Sequence, residues 1–502
     1  MFYDNLLDCN KLSYKSIGGK SFDGINVSKD KNLLSMEHSP LTYNFDFSKG
    51  VLMDGMGVGK LKFKCNLDSN TFKELSPLPD GYHPTVCWHF NLWASDLKTY
   101  RSLLFVLGSD GYVYYNWLHT ANCDFTKIEN LYFDDIPYVF LSKIDNTDAL
   151  YFVSRTNGTF VWLYPNIVIN LNNMPIIDSV CVYNNKYFAT IHRNKGVIIY
   201  SNDLNPINLN LTLMQGGEIR FDDGLGACNK VIVFNGDLYV FRNFNIMRVT
   251  EYSNKDDYSV SQIYASNGRI YENTISVCGD EIVYLASDGL YKFDGNTSKK
   301  LDLKLDGFFV GVDNNNAVSG YVDGNYYLSC RLNYNDNGGV VDGEISNVSN
   351  INNALVKINL ESENISIFRG YNVVGIYIVN DIYRNEVCLR IAEVGGLYKL
   401  GMLENTGKYY DEVMTKVWCS SIVDLGAIDK NKLVKDISFE TKQDLQLKVI
   451  YDDKVKVYNV IGKNVPQTIK LNIKCKKFGF VFVSKKCDNF ITSPKFKVSV
   501  LW

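Results

Sequence analysis

The 502-residue sequence predicts an all-β protein centred on a β-propeller, and three observations carry that expectation. Aromatic residues reach 14%, with 34 Tyr and 28 Phe, and these side chains suit half-buried pleated surfaces better than helices. Gly, Asn and Asp are plentiful, which supplies the positive-φ positions of tight turns. One hairpin type recurs along the chain: an apolar strand, a short Asp/Asn/Gly turn, then a second strand rich in Tyr. An apolar content of 46% against 21% charged residues is ordinary globular usage and argues against disorder or coiled coil.

The repeat sets the blade count. It runs through LLFVLGSDGYVYY (103–115), ALYFVSRTNGTFVWLY (149–164), KYFATIHRNKGVIIY (186–200), DLYVFRNFNIMRVT (237–250) and EIVYLASDGLYKF (281–293). NYYLSCRL (325–332) and ALVKINL (354–360) form the same hairpin around a long insertion, and EVCLRIAEVGGLYKL (386–400) is the last copy. Turn centres fall 38 to 55 residues apart, about the length of a four-stranded blade. Each hairpin reads as the outer half of a blade, with less regular segments such as TISVCGD and IIDSVCVYNN supplying inner strands. Residues 75–412 are therefore expected to form a propeller of seven blades, or six if one hairpin belongs elsewhere. A closed ring also protects strand edges. The tyrosines read as packing between blades.

Two segments flank the ring. Residues 1–74 lack helical periodicity and read as an extended arm with short strands, able to wrap an adjacent subunit. Residues 413–502 alternate apolar and polar positions through QLKVIYDD, KVKVYNVI, TIKLNIKC, FGFVFVSK and FKVSVLW, which fits a small β-sandwich. From Lys430 onward there are sixteen Lys, no Arg and six carboxylates, a formal charge of +10. The overall charge is −3, so residues 1–429 carry about −13. A basic module on an acidic body suggests docking to an acidic partner, or a lysine-coated surface that resists edge aggregation.

Twelve cysteines are scattered without CxxC pairs, and no secretory leader or membrane span is expected. Thiols held as small buried groups in a reducing cytoplasm are the simplest expectation. Catalytic patterns are sparse. The five histidines accompany no nucleophile motif, and GxSxG, HExxH and GxxxxGK[ST] do not occur. His83, Cys87 and His89 lie close together but lack a fourth metal ligand, so packing is the favoured reading. GMGVGK (55–60) is glycine-rich without the spacing of a phosphate loop. GSDGYVYY and ASDGLYKF have the flavour of sialidase turns but not their spacing, and Arg is too sparse for an arginine triad. No enzymatic activity is expected. The sharpest spacing is NYNDNGGVVDGE (333–344), where Asn333, Asn335, Asn337 and Glu344 take alternate and terminal positions of a calcium-loop pattern. Asn at the first position removes charge and no helices flank the loop, so no cofactor is expected beyond this calcium-like candidate.

The flanks carry a resemblance. The N-terminal segment holds Gly24, Asn26, Ser28, Glu37, Ser39, Pro40, Asn44, Gly50, Leu52 and Gly55 in an order that resembles the opening of bacteriophage tail proteins. Their basic residue is absent, and Met53 and Asp54 stand in that region. After the ring, Trp418, Ser420, Asp424, Leu425, Gly426, Lys432 and Lys435 look like the start of the terminal β-domain in similar proteins. The resemblance implies a virion structural protein, a tail hub or nozzle subunit around the DNA exit channel, assembled in the bacterial host cytoplasm. Its implied partners are copies of itself in a ring, a hexamer favoured, and other tail or portal-proximal proteins. Genomic DNA would pass without specific binding. The alternatives are a carbohydrate- or host-receptor-binding propeller and, less favoured, a propeller glycoside hydrolase.

Overall fold

A computed structural model describes residues 14–18, 21–27, 34–47, 49–65, 71–94, 98–171, 173–192, 196–209, 216–252, 257–301, 305–333, 352–381, 384–393, 395–424, 430–452 and 454–501. Among them the ring comprises seven antiparallel sheets in chain order. The first is Pro84–Ala94, Thr99–Gly108, Tyr112–Trp117 and Thr126–Tyr132, and the next five each likewise take four consecutive strands between Tyr138 and Phe368. The seventh is built from Asn372–Asn380, Asn385–Ala392 and Tyr398–Glu404, and its next strand is Gly57–Gly59, contributed from the N-terminal segment.

Seven apolar clusters lie between successive sheets and close the circle. Phe105 and Val113 pack with Phe152 and Trp162 between the first and second sheets. Phe140 and Tyr151 meet Ile177 and Ile199 between the second and third. The series continues through Phe188 with Val231, Ile232 with Tyr284, Leu285 with Leu328, and Leu355 with Leu389. Cys87, Leu104 and Val106 of the first sheet then pack with Val379, Cys388 and Met402 of the seventh. Each fully buried Leu, Val or Phe side chain contributes roughly 1.5–3 kcal/mol, so each blade's stability rests largely on the core it shares with its neighbours.

The recurrent hairpin is the middle pair of each blade, not its outer half. Thr99–Gly108 with Tyr112–Trp117, and Thr147–Ser154 with Gly158–Leu163, each have a further strand on both sides. Middle strands are covered on both faces and both edges, which is why they carry the densest apolar runs. The Ser-Asp-Gly turns have a structural use. Asp110 accepts from the Tyr114 hydroxyl at 2.8 Å, and Asp288 accepts from the Tyr291 hydroxyl at 2.7 Å. Each carboxylate thereby satisfies a phenol in the strand that follows its turn.

The described short strands of the N-terminal segment pair with strands from the C-terminal end. Lys15–Gly18 pairs with Lys495–Leu501, and Leu41–Tyr43 pairs with Lys416–Cys419. Leu52–Asp54 is held between Phe45–Asp46 and Phe490–Ile491. The terminal module therefore has two principal sheets. One is Lys15–Gly18, Lys495–Leu501, Asn431–Phe439 and Gln467–Cys475. The other is Leu41–Tyr43, Lys416–Cys419, Phe478–Ser484, Leu445–Tyr451 and Lys454–Val460. Phe22, Phe45, Phe47 and Leu52 share one core with Trp418, Leu447, Phe480 and Phe496. Described segments from both halves of the sequence thus share one core in the terminal module. No helix among the described residues is long and apolar enough to cross a membrane, and their eleven cysteines are free thiols.

Candidate functional site

The first strands of neighbouring blades pack against one another, which puts them on the inner side of the ring. Where Tyr138–Ile144, Ile177–Tyr183 and Cys228–Phe234 begin, their first residues and the 272–273 turn line a cleft of about 440 Å³. Its polar lining includes Arg155, Asp178, Asn229, Lys230, Glu272 and Asn273. Asp178 joins two blades: Arg155 Nη2 donates to its Oδ1 at 3.0 Å, and His192 Nδ1 lies 2.9 Å from its Oδ2. Lys230 joins the next two by donating from Nζ to the Ile275 carbonyl at 2.6 Å. Burial lowers the Lys230 ammonium to about 8, because desolvation disfavours the charged form. Among the described residues no carboxylate forms an ion pair with it.

A second polar cluster sits where the ring closes. His89 Nε2 lies 2.7 Å from Ser102 Oγ, and Ser102 Oγ donates to Asp381 Oδ1 at 2.9 Å. His119 Nε2 lies 2.7 Å from the same carboxylate oxygen. The composition is that of a hydrolase triad, but the geometry is different. Ser102 is fully buried, and it hydrogen-bonds the carboxylate directly instead of through an imidazole. Burial lowers His89 to about 4, so the ring is neutral at pH 7. The cluster fastens the first blade to the end of the first strand of the seventh.

The motifs read from the sequence separate in space. Cys87 is buried against Cys388, His89 faces Ser102, and the His83 amide donates to Ser109 Oγ. Among the described residues no group of three or more His, Cys, Asp or Glu could hold a metal ion. The calcium-like residues Asn335, Asn337 and Glu344 lie outside the described residues. Asn333 anchors the start of that insertion, its backbone amide donating to Phe308 O at 2.7 Å and its Nδ2 to Val310 O at 3.2 Å. The glycine-rich segment serves ring closure. A Cβ on Gly57 would lie 2.1 Å from the Lys408 carbonyl oxygen, and one on Gly59 would lie 2.5 Å from the Glu404 carboxylate. At Gly57 the clash is with backbone, so glycine is needed there, whereas at Gly59 the Glu404 side chain would have to turn aside.

The residues that resemble tail proteins come together, although the two sets lie more than 350 positions apart. Buried Ser39 donates to the carbonyls of Leu41 and Cys419, and Thr42 Oγ1 donates to Val417 O at 3.0 Å. Fully buried Trp418 packs edge-on to Phe22, with ring centroids 4.7 Å apart. Ser420 Oγ accepts from the Phe480 amide at 2.8 Å. Lys432 is buried and donates to the carbonyls of Lys430 and Lys476. Lys435 Nζ sits 4.8 Å from the Tyr14 ring centroid. A Cβ on Gly55 would lie 2.6 Å from the Phe368 ring and 2.7 Å from the Asn44 carbonyl oxygen, so glycine is needed at 55. Asp54, in the region where the similar proteins carry a basic residue, faces buried Lys416 at 3.1 Å. Ser28, Leu425 and Gly426 lie outside the described residues.

No protein-family model and no curated sequence matches the chain. Solved structures with some likeness include BBS1N in complex with ARL6DN, at 12% identity over 66% of this chain and 94% of that one, with a TM-score of 0.38. Dihydro-heme d1 dehydrogenase NirN in complex with DHE has 10% identity over 84% and 79%, with a TM-score of 0.37. The Neurospora crassa Pan2 WD40 domain has 7% identity over 65% and 97%, with a TM-score of 0.33. At these identities and TM-scores the likeness says nothing of function, and the chain stands as a β-propeller on its own strand pairing and circular packing.

Proposed function

We propose that this chain is a structural subunit of a bacteriophage tail, a hub or nozzle protein that rings the DNA exit channel and docks other tail or portal-proximal proteins. The observation that supports this reading is the convergence of the tail-like residues. Ser39 and Asn44 from one end and Trp418 and Ser420 from the other, with their neighbours Thr42 and Val417, build a single joint. A joint that locks both termini to a closed ring suits a rigid load-bearing part, and the proposal assigns it no catalysis. The acidic residues 1–429 would repel phosphate and keep DNA from sticking, because bound phosphates release counterions only where cations line the path. The lysine-rich terminal module would face an acidic tail neighbour.

The reading places the protein in the virion, after assembly in the bacterial cytoplasm, as a rotationally symmetric oligomer with a hexamer favoured. Light scattering on the purified 57.1 kDa chain and negative-stain electron microscopy test it. Rings, together with the chain's presence in purified phage particles by mass spectrometry, are the expected result. A strict monomer absent from every particle would remove the tail role.

A second reading, a carbohydrate- or receptor-binding propeller, is favoured by the polar cleft beside Lys230.

A further inference from the structure

The cleft between the first strands of the second to fifth blades has the size of a small-molecule site. Its two cations are held differently. Arg155 is neutralised by Asp178, which also holds His192. Among the described residues Lys230 has no such partner: its ammonium is drawn into the wall of the cleft, where one of three N–H donors meets the Ile275 carbonyl. A desolvated ammonium without a counter-charge is a costly arrangement for folding alone. Its lowered proton affinity reflects that desolvation. An anion entering the cleft would supply the counter-charge.

The remaining lining limits which anion fits. Asp178 and Glu272 stand in the same cleft and would oppose a dianion such as phosphate more than a monoanion. Their carboxylates, with the amides of Asn229 and Asn273, are acceptors and donors suited to hydroxyl groups. We propose that this cleft binds a carboxylate-bearing sugar of the uronic-acid type, with Lys230 taking the carboxylate and Glu272, Asn229 and Asn273 taking the hydroxyls. The inference rests on the carbohydrate-binding reading of the cleft and is independent of the tail role.

Isothermal titration of the full chain with D-glucuronate, D-glucose and a short polyglucuronate tests it. D-glucuronate is expected to bind about tenfold or more tighter than D-glucose, a difference of roughly 1.4 kcal/mol. Tighter binding of the polyglucuronate would identify a polysaccharide as the source, and equal binding would identify the free sugar. Lys230→Met, which keeps the aliphatic stem, is expected to lose about tenfold or more for glucuronate, and Lys230→Arg to retain it. Absence of glucuronate binding by the unmodified chain overturns the proposal, as does equal affinity for glucose. So does a Lys230→Met protein with unchanged circular dichroism and unchanged glucuronate affinity. Glucuronate binding by a chain that never enters a virion would leave this inference standing and remove only the tail role.

Discussion

Asn44 holds the backbone of Arg369 from both sides. Its Nδ2 donates to the Arg369 carbonyl at 3.0 Å, and its Oδ1 accepts from the Arg369 amide at 2.7 Å. The same Nδ2 lies 2.8 Å from the Thr415 carbonyl. One buried amide thus joins the N-terminal segment, the last strand of the sixth blade and the start of the terminal module. Asn44 has φ of 63°, a left-handed conformation that Asn tolerates better than most residues. Side-chain chemistry and backbone shape both select Asn here.

The first prediction follows from that contact. Asn44→Ala removes three hydrogen bonds, leaves buried backbone groups unpaired and places a Cβ without compensation in the left-handed region. The expected loss is about 3 kcal/mol or more, read from denaturant midpoints. Asn44→Gly removes the same bonds without the strain and should lie about 1 kcal/mol above Ala. Two variants of equal stability would show that conformation plays no part.

His89 gives a pH dependence. Burial lowers its folded pKa to about 4, below the unfolded value of about 6.5. The unfolded chain takes up the proton first as pH falls. The neutral imidazole's contribution is therefore complete above pH 6.5 and is lost between there and about pH 4. At pH 5 the loss relative to pH 7 is about 2 kcal/mol from this group. His89→Gln removes the titration, so the difference in stability between pH 7 and pH 5 should shrink by that amount. An unchanged difference would mean that His89 binds its proton equally well in the folded and unfolded chain.

The hairpins were legible because the middle strands of a blade are apolar on both faces, as in LLFVLG and EIVYLA. The inner and outer strands were less so, since each has one weaker neighbour and reads as irregular. Gly57–Gly59 was not legible as a strand. Its glycines answer to Lys408 and Glu404, more than 340 residues away, and locally they look like a phosphate loop. Ser102 and Asp381 are likewise 279 positions apart, and no local pattern joins them. The one local sign of the cleft was a lysine opening the apolar run KVIVF at 230, a small departure from an otherwise buried strand.

Ring closure by Gly57–Gly59 makes the third prediction. Gly57→Ala sets a Cβ 2.1 Å from the Lys408 carbonyl, and backbone must move to relieve it. The expected destabilisation is about 2 kcal/mol or more. It should be local: the amides of Tyr398–Glu404, whose outer partner is this strand, should exchange hydrogen faster, while those of Gly158–Leu163 in the second blade stay protected. Unchanged exchange in Tyr398–Glu404 would show that the seventh blade does not depend on its N-terminal strand.

Asp54 and Lys416 give the last prediction. Lys416 is fully buried, with Nζ 3.1 Å from Asp54 Oδ1 and 2.6 Å from the Lys486 carbonyl. Asp54 is only 14% exposed, so this is an interior pair whose attraction must offset the desolvation of both ions. Removing one partner leaves the other charge buried alone. Asp54→Asn should therefore destabilise the chain by about 3–5 kcal/mol, and Lys416→Met by a similar amount. The double variant Asp54→Leu with Lys416→Met carries no buried charge and should recover a large part of that loss. A double-mutant cycle in denaturant is expected to give a coupling of about 2 kcal/mol or more. Additive losses would mean that the two side chains contribute through separate packing and not through their charges. The carboxylate at position 54 would then not account for the missing basic residue of the tail-like pattern.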